Sequence, residues 1–471
     1  MNEKAKKIFL NLRYALSANF MTLAISVVLN IFVPKFLGVR DYSFWQLYVF
    51  YSSYGALFHF GWLDGIYLKI GGKEYDDLDK KTLGSQFWYL ILFELFLASV
   101  FLIYILLTNF GHLKKIILFF TVLATVTIIM KTYLMYIFQS TNRIKEYAQI
   151  ARTDRYIYAF FVVAFLLIGG NGFIFLIIVD IISKLLIVFW GIYKIRDIVF
   201  NFPDRLSLIK SEILDNIKIG SSVMLGNYAG MFIIGIVRFF VEKQWNIETF
   251  GKLSFTLSIS NMFMMFINAV GVVMYPLLRR TNESKLPLLY INLRRLFVPL
   301  SFMLMFFFFP IRFILIKWVP EYYDSLVFMG LLFPMIIYEG RTSLLVSSYL
   351  KALRQEKIIM STNIITIVFS LIGSVITALI LNDLNLTVLI IIICLITRCV
   401  SAEILLARKL AINLNKVIFY EIILTIVFVL GNILFSQTIS FGLYFFVFLI
   451  YFFHVFENIK SGISFLRKAM K

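Results

Sequence analysis

Continuous apolar runs of about 20 residues, separated by short polar breaks, recur from one end of the chain to the other. A helix rising about 1.5 Å per residue crosses the hydrocarbon core of a bilayer in such a run. Strands of a membrane barrel would alternate apolar and polar positions over segments of about 10 residues, and these runs are unbroken. The pattern predicts an all-α polytopic membrane protein of about 14 spans, centred near Val27, Tyr54, Leu97, Leu123, Val163, Lys184, Tyr228, Phe263, Met305, Tyr338, Ile367, Cys394, Val427 and Val447. The fifth run stops at LIGGNGF, where Gly169, Gly170 and Gly172 suit a tight hairpin. No Lys-Ser/Thr follows, which disfavours a phosphate-cradling loop there.

Composition agrees with lipid as the main solvent: 61% of the 471 residues are hydrophobic and 15% charged. The basic start, MNEKAKKIFLNLRYALSANF, has the flank of a signal peptide, but its apolar run continues to about Phe36 without a small-residue cleavage site, so an uncleaved first span is expected. Basic residues orient the chain, because short loops rich in Lys and Arg stay cytoplasmic. With both termini inside, about 32 of the 45 basic residues fall on cytoplasmic segments, about seven on outer loops and about six within spans. The net charge of +19 then reflects this bias and attraction to anionic membrane lipid, and calls for no nucleic-acid partner. The loop KEYDDLDKK, mixed in sign, reads as a solvated cytoplasmic turn. Cys394 and Cys399, five apart in one span, point in different directions and read as packing residues.

An internal repeat is visible. FQSTNRIKEYAQI after the fourth span resembles YLKALRQEKIIMS after the tenth, placing Arg143 opposite Arg354, and NLRYALS before the first span resembles NIKIGSS before the seventh. Offsets of about 205 to 211 residues divide the chain into an N-terminal lobe of six spans (1–197), a C-terminal lobe of six (198–412) and two appended spans (413–471).

Polar positions within the spans suggest what the lobes enclose. Asn19, Thr22, Ser26 and Asn30 fall within roughly an 80° arc of the first span. The eighth span repeats such a stripe with Ser254, Ser258, Asn261 and Asn268, and in the seventh Asn227 and Arg238 share a face. Hydrogen bonding between helices accounts equally well for any one of these residues, while their repetition favours a polar cavity between the halves. Glu94, Lys131, Asp180, Lys184, Arg238, Arg312, Glu339, Arg341 and Arg398 also lie within spans, each costing at least about 2.5 to 3.5 kcal/mol at the bilayer centre unless it meets water or a partner.

Asp180 and Lys184, four apart, are placed to pair on their own helix. Glu339 and Arg341, two apart, diverge by about 200° and each needs a partner elsewhere. The 211-residue offset sets Lys131 within one position of Arg341, so two pseudo-symmetric cations are candidates for binding an anion near the midplane, with Arg398 and Arg238 extending the surface. The alternative is that Arg341 pairs with Glu94 or another acid across a helix interface. Glu94 and Glu339 are the candidates for proton or sodium coupling. Trp45, Tyr48, Tyr51, Tyr54 and Trp62 on the second span have the spacing of a sugar-stacking face, although interface belts and packing explain the same pattern.

Motifs for ATP hydrolysis (G-x-x-x-x-G-K-[ST]), a zinc helix (H-E-x-x-H) and a nucleophile elbow (G-x-S-x-G) do not occur, and His59, His112 and His454 lie far apart in sequence, so a metal centre is not expected. No outer loop exceeds about 20 residues, which argues against a glycan ligase or polymerase with a folded external domain. This is the profile of a secondary transporter with no resident cofactor.

The stretch FLGVRDYSFWQLYVFYSSYGALFHFGWLDGIYLKIGGKEYDDLDKK, Phe36 to Lys81, resembles the corresponding region of bacterial Wzx-type polysaccharide flippases of the MOP superfamily, as does the plan of 14 spans in two six-helix lobes. That superfamily also holds drug antiporters and the peptidoglycan-precursor flippase. The resemblance implies a bacterial cell-membrane protein that moves an undecaprenyl-pyrophosphate-linked oligosaccharide to the outer leaflet for capsule, O-antigen or exopolysaccharide synthesis, with polysaccharide polymerase machinery as a partner. It also implies a cationic cavity, to which Lys131, Arg341 and Arg398 would contribute. A cation-coupled multidrug exporter of the same fold is the alternative, and a membrane glycan polymerase or ligase the enzyme alternative.

Overall fold

Helices dictated by the apolar runs make up the chain, and the computed structural model describes residues 3–469. All 14 expected span centres fall within or beside a helix, and ten helical stretches among the described residues are long and apolar enough to cross a membrane. The chain forms two compact units, Met1–Tyr228 and Ala229–Lys471.

The first unit opens with α1 (Glu3–Ser53), a 51-residue run bent at Gly38, whose φ of 72° and ψ of 169° leave helical geometry and separate the first span from the second. A short turn at Gly55–His59 leads into α2 (Trp62–Ile70). Helices α3 (Lys80–Leu107), α4 (His112–Ser140), α5 (Ile144–Leu167) and α6 (Phe173–Lys194) follow, then a one-turn α7 (Arg196–Val199) and the long α8 (Leu206–Gln244), within which the two units divide. Asp79 caps α3 by accepting from the Thr82 backbone N–H at 3.0 Å. The hairpin between α5 and α6 uses Gly169 and Gly172, with φ of 81° and 118°, values only glycine adopts without strain. The core is built on Leu83, Phe87, Leu134, Ile137, Phe138 and Ile150 from α3, α4 and α5.

The second unit holds α9 (Ile247–Arg280), α10 (Leu286–Leu304), α11 (Phe308–Trp318), α12 (Ser325–Leu332), α13 (Met335–Arg341), α14 (Ser348–Ala352), α15 (Glu356–Ser374), α16 (Leu384–Lys409), α17 (Asn415–Leu434) and α18 (Gln437–Ala469). The tenth span runs through α12, α13, a π-helical stretch at Thr342–Ser347 and α14, and 89% of its 18-residue apolar window is buried. This span lies at the centre of its unit, which explains how a glutamate and an arginine occur in it.

The repeat reappears as turn geometry. Asn142 (φ 58°) between α4 and α5 and Arg354 (φ 53°) between α14 and α15 both adopt left-handed conformations. The next N–H in each case bonds back to the carbonyl five residues earlier, Arg143 to Phe138 at 2.8 Å and Gln355 to Leu350 at 2.7 Å. Thus Arg354 matches Asn142 rather than Arg143, an offset one residue longer than the sequence resemblance suggests. On that offset Lys131 falls opposite Ser343, and the pseudo-symmetric pairing of Lys131 with Arg341 is not preserved.

Candidate functional site

In the first unit, α1, α4, α5 and α6 bring charged groups together inside the helix bundle. Lys131 Nζ on α4 pairs with Asp154 Oδ2 on α5 at 2.5 Å, with the lysine side chain 14% exposed and the aspartate 2%. One turn apart on α6, Asp180 and Lys184 form the ion pair that their spacing predicts, and Tyr48 Oη on α1 donates to Asp180 Oδ2 at 2.7 Å. Arg155 interacts electrostatically with both Asp154 and Asp180, and Lys131 with Arg155 and Lys184. Three cations against two carboxylates leave this cluster with one positive charge in excess. Asp154 Oδ1 has no hydrogen-bond partner among the described residues.

The second unit contains a closed network. Arg341 on α13 is 0% exposed. Its Nη1 pairs with Glu421 Oε2 on α17 at 2.5 Å and lies 3.4 Å from Glu403 Oε2 on α16, while its Nε donates to Cys399 Sγ at 3.1 Å. Arg294 on α10 holds the same two carboxylates, Nε to Glu403 Oε1 at 2.8 Å and Nη1 to Glu421 Oε1 at 2.9 Å, and Tyr290 Oη donates to Glu403 Oε1 at 2.7 Å. Two guanidinium groups and two carboxylates cancel, and the network ties α10, α13, α16 and α17 together. This corrects the expectation that Arg341 offers its charge to a ligand: it is neutralised and sealed from solvent. The acids that hold it are Glu421 and Glu403, not Glu94.

Arg398 and Glu339 are likewise joined, Nη2 to Oε2 at 2.5 Å, so neither presents a lone charge; the arginine side chain is 6% exposed and the glutamate 18%. Gly230 on α8 lies against this guanidinium, where a Cβ would come within 2.9 Å of Nη1. Arg238 donates to Ser254 Oγ at 2.9 Å and stacks over Phe250 at 5.1 Å. Arg312 lies 6.0 Å from the centre of the Phe308 ring. Glu94 is 2% exposed in the middle of α3, and its Oε1 has no hydrogen-bond partner among the described residues.

Among the polar stripe positions, Ser26, Asn30 and Ser258 are half-buried, and Asn227 and Asn261 are exposed. The side chains of Asn19, Thr22 and Asn268 lie outside the described residues. The aromatic stripe is mostly internal: Trp45, Tyr48 and Trp62 are 6%, 1% and 4% exposed. Trp62 Nε1 donates to Gln86 Oε1 at 2.9 Å, so packing and internal hydrogen bonds account for these rings. Both cysteines are free and buried.

Sequence reasoning missed Asp154, Arg155, Arg294, Glu403 and Glu421, although Asp154 and Arg155 lie in the middle of α5 and Arg294 in the middle of α10. A signal was present in their spacing. Tyr290 and Arg294, Cys399 and Glu403, and Glu421 and Thr425 each sit four apart on one helix face.

No family model and no curated protein sequence matches the chain. Among solved structures it is similar to lipid II flippase MurJ in an inward closed conformation, with a TM-score of 0.56 and 14% identity over 98% of this chain and 100% of that one. It is also similar to a multidrug resistance MATE family transporter of the MOP superfamily in an inward-facing conformation, with a TM-score of 0.55 and 12% identity over 84% of this chain and 94% of that one. The chain therefore has the helical membrane fold that these two proteins share.

Proposed function

We propose that the protein is a secondary transporter that flips a polyprenyl-pyrophosphate-linked oligosaccharide to the outer leaflet of a bacterial cell membrane. The observation that carries this reading is the likeness, along nearly the whole chain, to the fold of the lipid II flippase MurJ. The charge cluster of the first unit supports it: with one excess positive charge among Lys131, Arg155 and Lys184, it lowers the cost of bringing a pyrophosphate to membrane depth. Alternating exposure of these cations to the two faces would carry the head group across while the polyprenyl tail stays in lipid. An inside-negative potential favours outward movement of the anion by about 2.3 kcal/mol per charge per 100 mV. In this reading Lys131, Arg155 and Lys184 exchange carboxylate for phosphate, and Glu94 is the group placed to carry a coupling proton.

Deleting the gene tests the proposal, with accumulation of a lipid-linked sugar intermediate on the cytoplasmic leaflet as the expected result. In proteoliposomes carrying a fluorescent lipid-linked oligosaccharide, Lys131→Gln combined with Arg155→Gln should slow flipping about tenfold or more, the factor that 1.4 kcal/mol represents. Unchanged flipping by a folded double variant removes these cations from the mechanism.

The likeness to a multidrug transporter, together with the unpartnered Glu94, favours a second reading as a cation-coupled exporter. Cells expressing the protein would then expel cationic dyes and show no lipid-linked intermediate on deletion.

A further inference from the structure

A cleft of about 230 Å³ opens in the second unit between the middle of α10, the turn joining α16 to α17, and the middle of α18. Because that turn joins two spans, the cleft sits at the polar edge of the membrane. Its polar lining includes Arg294, Arg295, Asn413 and Tyr451, and Ile291 and Val455 are among its apolar walls.

Arg294 is already saturated by Glu403 and Glu421. Its neighbour Arg295 is not: the guanidinium donates to Ser461 Oγ at 3.1 Å and meets no carboxylate among the described residues. Tyr451 is 5% exposed and lines the cleft, and its hydroxyl has no hydrogen-bond partner among the described residues. An uncompensated guanidinium and an unused phenol in one cleft are donors awaiting an acceptor that carries negative charge. The apolar walls add a requirement that a free inorganic anion does not meet. Arg408 and Lys409 end α16 beside the same turn, so basic residues mark this end, the character that places a segment against an anionic leaflet.

We propose that this cleft holds the phosphate of an anionic phospholipid from the adjacent leaflet, with Arg295 and Tyr451 as donors and one acyl chain along the apolar wall. The lipid would clasp α10 to the α17–α18 hairpin, next to the closed network that joins α10 to α13, α16 and α17. It is a resident lipid at a site separate from the charge cluster of the first unit, so it stands whether or not the chain is a flippase.

Thermal unfolding of the full chain in neutral detergent tests this, with dioctanoylphosphatidylglycerol, dioctanoylphosphatidylcholine and inorganic phosphate as probes. The phosphatidylglycerol should raise Tm by several degrees, and the other two should have little effect. Arg295→Gln should abolish the shift, Arg295→Lys should retain most of it, and Tyr451→Phe should reduce it without lowering the Tm of the lipid-free protein. Ser461→Ala removes the hydroxyl to which Arg295 donates and should leave the shift intact. A full shift in both Arg295→Gln and Tyr451→Phe would overturn the site, and an equal response to phosphatidylcholine would overturn recognition of charge. An equal response to inorganic phosphate would make it a free-anion site and overturn the lipid. Should Arg295→Gln fail to fold, the isosteric Tyr451→Phe decides alone.

Discussion

Glu339 and Arg341 show how much chemistry one pair of residues decides. Their spacing of two places them on opposite sides of α13, and each meets a different partner, Arg398 on α16 for the glutamate and Glu421 on α17 for the arginine. The divergence was legible in the sequence, as was the Asp180–Lys184 pair, because both depend on one helix. The partners of Arg341 were not legible, because pairing between helices far apart in the chain leaves no periodic trace. Truncating Arg341 to Met leaves Glu403 and Glu421 sharing one cation in a sealed site, and breaking a buried pair this way costs about 3 to 5 kcal/mol. Thermal unfolding in detergent should show that loss, and adding Glu421→Gln should restore part of it by removing the uncompensated negative charge. If the single variant is as stable as the parent, the network is not what joins these four helices. Glu94 allows the opposite kind of test, because no cation among the described residues holds it. Glu94→Gln should keep the fold and Tm yet remove any dependence of transport on an imposed pH gradient in proteoliposomes; a gradient response equal to that of the parent would clear Glu94 of coupling.

At the scale of elements, the apolar runs predicted the helices well because length and hydropathy decide them. They gave no hint of how closely helices cross. Helix α2 meets the first half of α8 at Gly61, Gly65 and Gly220, where a Cβ on Gly65 would collide with the Asn216 carbonyl and one on Gly220 with the Gly61 carbonyl. Backbone cannot yield as a side chain does, so Gly65→Ala should force the helices apart and lower stability by about 1 to 3 kcal/mol, the usual cost of overpacking. Gly72→Ala has open space but a φ of 87°, and should act only through backbone strain. Below α2, the loop to α3 is latched to α7: Tyr75 Oη donates to Asp197 Oδ1 at 2.7 Å and Lys80 Nζ pairs with Asp197 Oδ2 at 2.7 Å. Partial burial pushes the Asp197 carboxyl up, but the bonds from Lys80 and Tyr75 outweigh it and hold the group below the usual carboxylate range. A depressed value means the latch contributes above the unfolded value of about 3.9 and is lost as pH falls through the folded one. The group is 43% exposed, so its effect is local. Protease cleavage within residues 71–79 should therefore be slow at neutral pH and rise in acid, while Asp197→Asn should cleave quickly at both; equal rates for parent and variant at neutral pH would dismiss the latch.

For the whole molecule, the distribution of basic residues makes the broadest claim, since it predicts which ends of the 14 expected spans face the cytoplasm. The loop between α2 and α3 carries Lys73 and the first turn of α3 carries Lys80 and Lys81, so this end should lie inside, whereas the hairpin between α5 and α6, LIGGNGF, carries no charge and should lie outside. Both native cysteines are buried, so single cysteines at Lys73 and Asn171 would report cleanly to a membrane-impermeant maleimide. Asn171→Cys should label in intact cells and Lys73→Cys only after permeabilisation. The reverse pattern would invert the protein, and with it the direction in which membrane potential would drive the anion proposed to bind near Lys131. Labelling of both from outside would break the alternation of spans and so the count of 14 itself. In the proposed reading, the direction of transport, the sign of the voltage effect and the leaflet facing the Arg295 cleft would all follow from this one asymmetry, because none of them can be set by local contacts alone.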